Sequence, residues 1–282
     1  MIGPARAALR IGRMRPALLD LAIMDRHLRF CANISMLFCE APFLERIDAA
    51  ARAGFEAVEC QFPYDIPARE IRQRLREVGV PMTGINAPPG AAGEFGFAAL
   101  PGREPDFRDS LARGLDYAHE LGAKTLHCLS GVLEGAAPDA ARATFLANMS
   151  DACEKAERAS VTLLIEPLNP YDRPDYFLKG SDHAAELIQA LGHPELKILF
   201  DVYHVQILEG DLLRRIGRHW PLIGHFQIAS VPRRREPDEG EVNYTAVLAE
   251  IAARGWEGWV GCEYRPRGAT VQGLGWREAL AP

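Results

Sequence analysis

From about residue 25 onward, short apolar runs alternate with longer stretches in which apolar residues recur every three or four positions. The short runs have the length of buried β-strands, and the longer stretches have the periodicity of amphipathic helices. Strands are predicted at 28–34, 57–62, 81–86, 125–130, 161–166, 196–201, 223–228 and 258–264. Helices are predicted between most of them, at 41–55, 67–80, 106–122, 139–160, 181–192 and 243–255.

This alternation of strand and helix, repeated over about 250 residues, is typical of a (β/α)8 barrel. An open, doubly wound sheet is the structural alternative, but no G-x-G-x-x-G turn follows the first predicted strand. Several predicted helices close on a glycine just after the last periodic residue, and glycine is a common C-terminal cap. The fold class is therefore predicted to be α/β, with one TIM barrel over residues 25–282.

Polar residues interrupt the apolar pattern at the ends of the last four predicted strands. Glu166 ends "VTLLIE" and Asp201 ends "LKILFD", while Gln227 and Glu263 lie near the ends of "IGHFQI" and "GWVGCEY". Asp201 taken alone is also a good helix N-cap. Because the carboxyl ends of barrel strands meet at one rim, where barrel enzymes have their active sites, these four residues are predicted to share a site.

Three carboxylates at one rim would repel each other, and a divalent cation would relieve that repulsion. Carboxylate and amide oxygens are hard ligands that suit Mg²⁺ or Mn²⁺, whereas Zn²⁺ favours sites with more histidine or cysteine. We therefore predict a Mg²⁺ or Mn²⁺ site with the four ligands Glu166, Asp201, Gln227 and Glu263.

Further polar residues lie near the same predicted rim and are candidates for substrate binding. His204 follows the sixth strand, and Glu59 and Asn86 end the second and third strands. Arg233 begins an arginine triplet after the seventh strand, and a guanidinium suits a substrate carboxylate. Each has a structural alternative, because a histidine near a helix start or an arginine triplet on a loop is commonly structural or solvated.

Two long connections follow predicted strands on the side of the predicted site. Residues 87–103, "APPGAAGEFGFAALPGR", are too many for an ordinary loop of this kind and are predicted to form a lid or a substrate-binding loop. Residues 230–243 are a second candidate of the same kind.

The amino-acid composition limits the classes of binding partner that are expected. The net charge of the 282 residues is −6, which disfavours nucleic acid and anionic membranes. No apolar stretch reaches the roughly 18 residues that a membrane span needs. The six cysteines form no C-x-x-C pair, and several lie in apolar runs. They are predicted to be buried, reduced thiols of a cytoplasmic protein rather than disulfides or zinc ligands.

The first 24 residues do not share the barrel pattern. They are rich in arginine and carry no acidic residue before Asp20, a composition that resembles an organellar presequence. An unstructured extension is the simpler interpretation, as is an upstream start codon, since Met14 and Met24 could each begin the protein. Residues 1–24 are therefore treated as an extension that precedes the barrel.

Beyond these patterns, the sequence resembles a known family. The stretches "IEPLNPYDRPDYFL", "FDVYHVQ", "GHFQIASVPRRREPDEGEVNY" and "GCEYRPRG" followed by "GLGW" are similar to those of the hydroxypyruvate isomerase family, which belongs to the xylose-isomerase-like TIM barrels. The resemblance spans about residues 26–280 and does not include the extension. It implies that Glu166, Asp201, Gln227 and Glu263 hold a divalent metal and that Glu166 and Glu263 form an acid–base pair.

The reaction that the resemblance implies is the interconversion of hydroxypyruvate and 2-hydroxy-3-oxopropanoate through an enediol. The substrate would be a small 2-oxo or hydroxy acid, with no cofactor besides the metal, and a homo-oligomer is possible. The family also includes 2-oxo-tetronate isomerases, and this alternative stays open. Related sugar epimerases usually have a histidine where Gln227 stands, so the glutamine favours the hydroxypyruvate branch.

Three other functions are compatible with a barrel of this kind. A ketose isomerase or epimerase would need a deeper pocket. A nuclease of the endonuclease IV type holds several zinc ions with many histidines, whereas only His127, His204 and His225 lie near predicted strand ends here. A non-catalytic barrel is disfavoured because the proposed ligand set is complete.

Overall fold

Eight parallel strands close into a barrel in the order in which they occur along the chain. They are β1 (Arg29–Asn33), β2 (Ala57–Cys60), β3 (Met82–Asn86), β4 (Thr125–His127), β5 (Thr162–Ile165), β6 (Leu196–Asp201), β7 (Ile223–Ile228) and β8 (Trp259–Cys262). The computed structural model describes residues 27–280, so the predicted extension 1–24 lies outside the described residues. β8 pairs with β1 and closes the sheet, which confirms the predicted barrel.

Helices connect the strands and cover the outside of the barrel. They are α1 (Phe43–Arg52), α2 (Ala68–Val78), α3 (Glu104–Leu121), α4 (Pro138–Ala159), α5 (Ser181–Leu191), α6 (Val202–Leu208), α7 (Leu212–His219), α8 (Tyr244–Ala253) and α9 (Trp276–Ala279). Every predicted helix is present, with ends that differ by no more than three residues. The short helices α6, α7 and α9 were not predicted, because seven, eight or four residues contain too few turns for a periodic signal.

Three of the predicted glycine caps are present at helix C-termini. Gly79, Gly122 and Gly192 follow α2, α3 and α5 with φ angles of 81°, 72° and 66°. Glycine adopts this left-handed conformation without the steric cost that a Cβ atom would impose. These residues therefore end the helices and direct the chain into the next strand.

The strands are buried on both faces, as parallel strands between a barrel interior and a helical layer must be. All six residues of β6 are buried except the half-buried Lys197. On the outer face, the Phe200 ring packs against Phe226 of β7, with 5.7 Å between ring centroids. Each such side chain contributes roughly 1.5–3 kcal/mol to stability through burial. Because this core fixes the strands, the side chains at their carboxyl ends are held in place.

Two further predictions concern the burial of the cysteines and the absence of a membrane span. All six cysteines are free, and five are buried as predicted. Cys39 is the exception and is exposed, because it lies in the loop after β1 rather than in a strand. Within residues 27–280, no helix is both long enough and apolar enough to cross a membrane.

Candidate active site

A cavity of about 580 Å³ opens at the carboxyl ends of the strands. Polar side chains from most of the strands or the loops that follow them line it, and they include Ser35, Gln61, Asn86, His127, Glu166, His204, Gln227, Arg234 and Glu263. This is the rim at which the sequence predicts a site. Three of the four predicted metal ligands line the cavity directly, and the fourth, Asp201, is buried beside them.

The three predicted carboxylate ligands lie around one guanidinium and one imidazole. Nη2 of Arg234 is 3.2 Å from Oδ2 of Asp201 and 3.3 Å from Oε2 of Glu263. Nε2 of His204 is 3.9 Å from Oε1 of Glu166 and 3.7 Å from Oδ2 of Asp201. The structure therefore brings together the carboxylates that the sequence places on three different strands.

Asp201 has both of the roles that its position suggests. Its Oδ1 accepts a hydrogen bond from the backbone N–H of Tyr203 at 2.9 Å, so Asp201 is the N-cap of α6. Its other oxygen, Oδ2, faces Arg234 and His204 in the site. One carboxylate thus begins the helix and also presents an oxygen to Arg234 and His204.

Gln227 is oriented by a buried carboxylate next to it. Its Nε2 donates to Oε1 of Glu59 at 2.7 Å. Because an ionised carboxylate only accepts, the NH₂ group of the amide must face Glu59, and Oε1 of Gln227 faces away from it. Glu59 is itself held by Nδ2 of Asn33 at 3.1 Å and Nε2 of His225 at 2.7 Å. Gly261 leaves space for this carboxylate, since a Cβ there would lie 2.5 Å from Oε1 of Glu59.

Burial makes negative charge in the cluster costly. It raises the pKa of Glu166 well above the usual range, and the charges of Glu263 and Asp201 raise that pKa further. Burial also raises the pKa of Asp201 and of Glu263, although Arg234 opposes the shift at both. A single guanidinium therefore leaves the cluster short of positive charge.

The donor set fits a hard divalent cation. Oε1 of Glu166 and Oε1 of Gln227 are buried and have no hydrogen-bond partner among the described residues. Ligand atoms of Glu166, Asp201 and His204 lie within 4.8 Å of one another. Buried oxygens without partners next to carboxylates of raised pKa are what a bound cation would satisfy. The described residues thus include a candidate metal site.

His204 presents a hydrogen-bond donor to this cluster. Its Nδ1 accepts from the backbone N–H of Asn169 at 3.1 Å, so the proton of a neutral ring is on Nε2. Burial lowers the pKa of His204 well below its usual value, and the charge of Arg234 lowers it further. Nε2–H points toward the carboxylates and is placed to donate to a substrate oxygen.

Two of the predicted substrate-binding residues, Arg233 and Glu59, do not line the cavity. Arg233 is exposed and does not line the cavity, and its neighbour Arg234 is the arginine at the acids. The reason is a tight turn in which Arg234 has a φ of 52° and donates its N–H to the carbonyl of Ser230. Glu59 lies beneath the cavity and binds Gln227, whereas Asn86 lines the cavity as predicted.

Two residues that the sequence analysis did not select also line the cavity. His127 ends β4 and is 2 % exposed, and burial lowers its pKa to about 3. Gln61 follows β2 and donates Nε2 to Oε1 of Glu263. Gln61 is the next-to-last residue of the predicted strand 57–62, as Gln227 is of 223–228, so the same rule would have found Gln61. The predicted strand 125–130 extends beyond His127, so the rule could not place His127 at a strand end.

Each predicted active-site loop contributes to the cavity. Phe95, in the 87–103 loop, lies in its wall, and the guanidinium carbon of Arg173 is 4.0 Å from the Phe95 ring centroid. Gly96 forms a bridge with Ser130, which ties this loop to the segment after β4. The 230–243 loop supplies Arg234. A lid movement of either loop stays a prediction.

Comparison with known proteins agrees with the barrel fold. The family model described as xylose isomerase-like TIM barrel matches residues 47–280. A 2-oxo-tetronate isomerase from Cupriavidus necator is 47% identical over 251 residues, which cover 88% of this chain and 96% of that protein. A hydroxypyruvate isomerase from Escherichia coli is 42% identical over 254 residues, which cover 89% of this chain and 98% of that protein.

One solved structure is similar over its full length. It is described as an AP endonuclease of family 2 from Brucella melitensis, and it is 44% identical to this chain. The superposition has a TM-score of 0.88 and covers 90% of this chain and 100% of that one. The names of these similar proteins therefore point to two chemistries, isomerisation and cleavage of DNA.

Proposed function

Because the chain belongs to the xylose isomerase-like TIM barrel family, we propose that it exchanges the oxidation states of C2 and C3 in a short 3-hydroxy-2-oxo acid. Hydroxypyruvate, which would become 2-hydroxy-3-oxopropanoate, and 2-oxo-tetronate are the two candidate substrates, as they are for the relatives named above. The observation that carries the proposal is the pair of buried glutamates, Glu166 and Glu263, in one cavity with an oxygen-rich ligand set.

The reaction needs a base, an acid and a donor for the substrate oxygens. One glutamate removes the proton from C3, and the other delivers a proton to C2 of the resulting enediol. In the enediol the hydroxyl proton on the C3 oxygen passes to the C2 oxygen, so the C3 hydroxyl becomes a carbonyl, the C2 carbonyl becomes a hydroxyl, and atoms and electrons balance within the substrate. Nε2–H of His204 is placed to hydrogen-bond the oxygen on which charge develops.

We further propose that Glu166, Asp201, Gln227 and Glu263 hold a Mg²⁺ or Mn²⁺ ion. The unpartnered oxygens of Glu166 and Gln227 support this assignment, and the absence of cysteine from the set disfavours a thiolate metal. When bound, such an ion acts as a Lewis acid that stabilises negative charge on substrate oxygens. Glu59 contributes by fixing the direction in which Gln227 presents its oxygen.

The substrate carboxylate would bind at the mouth of the cavity. Arg234 is already paired with Asp201 and Glu263, but two other arginines line the cavity, Arg173 and Arg265. Neither has an acidic partner among the residues that the structure describes. Guanidinium groups that lack an acidic partner and lie next to a site are suited to bind a carboxylate.

Replacing Arg265 tests this placement. Arg265→Gln is expected to raise KM for hydroxypyruvate about tenfold, because a charged hydrogen bond of roughly 1.5 kcal/mol is lost, while kcat changes little. Steady-state kinetics of the parent and the variant measure both values. Arg233→Gln is the matched control, since Arg233 is exposed and lies outside the cavity. Equal KM values for Arg265→Gln and the parent would remove Arg265 from substrate binding.

The function itself is tested with a substrate panel. Purified protein with Mn²⁺ or Mg²⁺ is incubated in D₂O with hydroxypyruvate, 2-oxo-tetronate and a neutral ketotetrose, and the products are followed by NMR. We expect metal-dependent isomerisation of at least one of the two acids and little turnover of the ketose. Turnover of the neutral ketose alone would show that the protein is a sugar isomerase instead.

DNA cleavage is the second candidate because of the similar structure from Brucella melitensis. The same preparation, loaded with Mn²⁺ or Zn²⁺, is incubated with a duplex that carries one abasic site. The net charge of −6 is unfavourable for a DNA-binding protein, and we expect no incision above that of a Glu263→Gln preparation. Incision by the parent together with no isomerisation of the acids would replace the proposed function.

A further inference from the structure

One interior histidine differs from the others at this end of the barrel. Nδ1 of His204 accepts from Asn169, and Nε2 of His225 is 2.7 Å from a Glu59 oxygen. Neither nitrogen of His127 has a hydrogen-bond partner within residues 27–280, although the side chain is 2 % exposed. Buried polar groups are rarely left unpaired, and those that line a cavity are available to a ligand.

His127 forms part of the cavity floor. Strand register places it beside Asn86 of β3 and opposite Leu164 of β5, two residues before Glu166. Both His127 and Asn86 line the cavity. Nδ1 of His127 lies 3.5 Å from Oε2 of Glu166, so a group bound to His127 would be next to the reacting carbons.

The half of the cavity around His127 differs in charge from the half that carries the predicted metal ligands. The side chains that β1 to β4 and their following loops place in its lining are all neutral, and the polar ones include Gln61, Asn86 and His127. A carboxylate bound there would be repelled by Glu166, and none of these lining side chains carries a positive charge. A hydroxyl both donates and accepts, as a neutral imidazole does, and suits this surface.

We propose that His127 binds the terminal hydroxyl of a four-carbon substrate and thereby favours 2-oxo-tetronate over hydroxypyruvate. This rests on the proposed isomerase function. In 2-oxo-tetronate, C4 carries a hydroxyl that hydroxypyruvate lacks, and it extends from C3, away from the carboxylate. With C2 and C3 at the acids and the carboxylate at the mouth, C4 would point to the floor. The cavity of about 580 Å³ has room for the additional carbon.

The test compares two substrates within each variant. His127→Phe keeps a ring but removes both polar atoms, and His127→Gln restores a donor and an acceptor. We expect His127→Phe to lower kcat/KM for 2-oxo-tetronate about 10- to 100-fold more than it lowers kcat/KM for hydroxypyruvate. His127→Gln should recover most of the difference. His127→Ala replaces His127→Phe if the latter does not fold, and the comparison is unchanged because each variant supplies both values.

Binding of unreactive acids separates this proposal from the proposed function. Calorimetry with erythronate, which has four carbons, and glycerate, which has three, gives affinities even if the protein isomerises neither acid. We expect His127→Phe to weaken the binding of erythronate but not that of glycerate, and to leave the affinity for Mn²⁺ unchanged. Equal losses for both acids, or no loss for either, would overturn the proposal. A large loss of Mn²⁺ affinity would overturn it too, because His127 would then act at the metal.

Discussion

Glu263→Gln is expected to lower kcat for isomerisation by about 10² to 10⁴, because the variant keeps the shape of the side chain but loses a general acid or base. In the structure, Oε1 of Glu263 accepts from Gln61 and Oε2 contacts Arg234 at 3.3 Å. A glutamine can keep one of these contacts, so the variant is expected to fold. Glu166→Gln should have an effect of similar size, since Glu166 is equally buried.

The two variants should differ in the step at which they stop. The variant that retains the base should exchange the C3 hydrogen of the substrate for deuterium in D₂O without forming product. The other variant should neither exchange this hydrogen nor form product. Glu209→Gln is a matched control, because Glu209 is a largely buried carboxylate that binds Arg215 away from the cavity. It should keep its activity even if its melting temperature falls. If both site variants isomerise within a factor of ten of the parent, these two glutamates are excluded from the proton transfer.

The barrel could be predicted because its pattern is strong and local. Strands such as "LKILFD" are apolar on both faces, and most of the strands are followed by a helix with a clear period. Helices α6 and α7 escaped prediction because the chain between β6 and β7 is divided into two short segments. Their stability comes from packing on the barrel and from the Asp201 cap rather than from a periodic sequence.

The acidic rim could be predicted because strand order determines which ends meet. Glu166, Asp201 and Glu263 follow from that rule alone. The rule does not give the depth of a side chain, so it could not distinguish Glu59, which lies beneath the cavity and orients Gln227, from a residue that binds substrate. Nor could it distinguish Arg233 from Arg234, since the left-handed turn that directs Arg234 inward depends on tertiary contacts.

Removing the charge of Asp201 is expected to abolish binding of the metal. Asp201→Asn keeps an oxygen that can cap α6, so the helix should remain, but the buried anion that faces Arg234 and His204 is lost. Loss of a partner one layer outside a metal site already costs 10- to 100-fold in affinity. We therefore expect Mn²⁺ affinity, measured by calorimetry on chelator-treated protein, to fall by at least about 100-fold.

Thermal unfolding provides an independent measurement of the same prediction. A ligand at 100 times its Kd stabilises the folded state by about 2.7 kcal/mol, which corresponds to roughly 5–10 °C in a domain of this size. The parent should show a shift of this order when Mn²⁺ is added, and Asp201→Asn should show no more than about 1–2 °C at the same Mn²⁺ concentration. Asp172→Asn is the control, because Asp172 also faces Arg234, at 3.6 Å, but is not one of the proposed ligands. Asp172→Asn should keep the thermal shift that Mn²⁺ produces in the parent. Undiminished Mn²⁺ binding by Asp201→Asn would exclude Asp201 as a ligand.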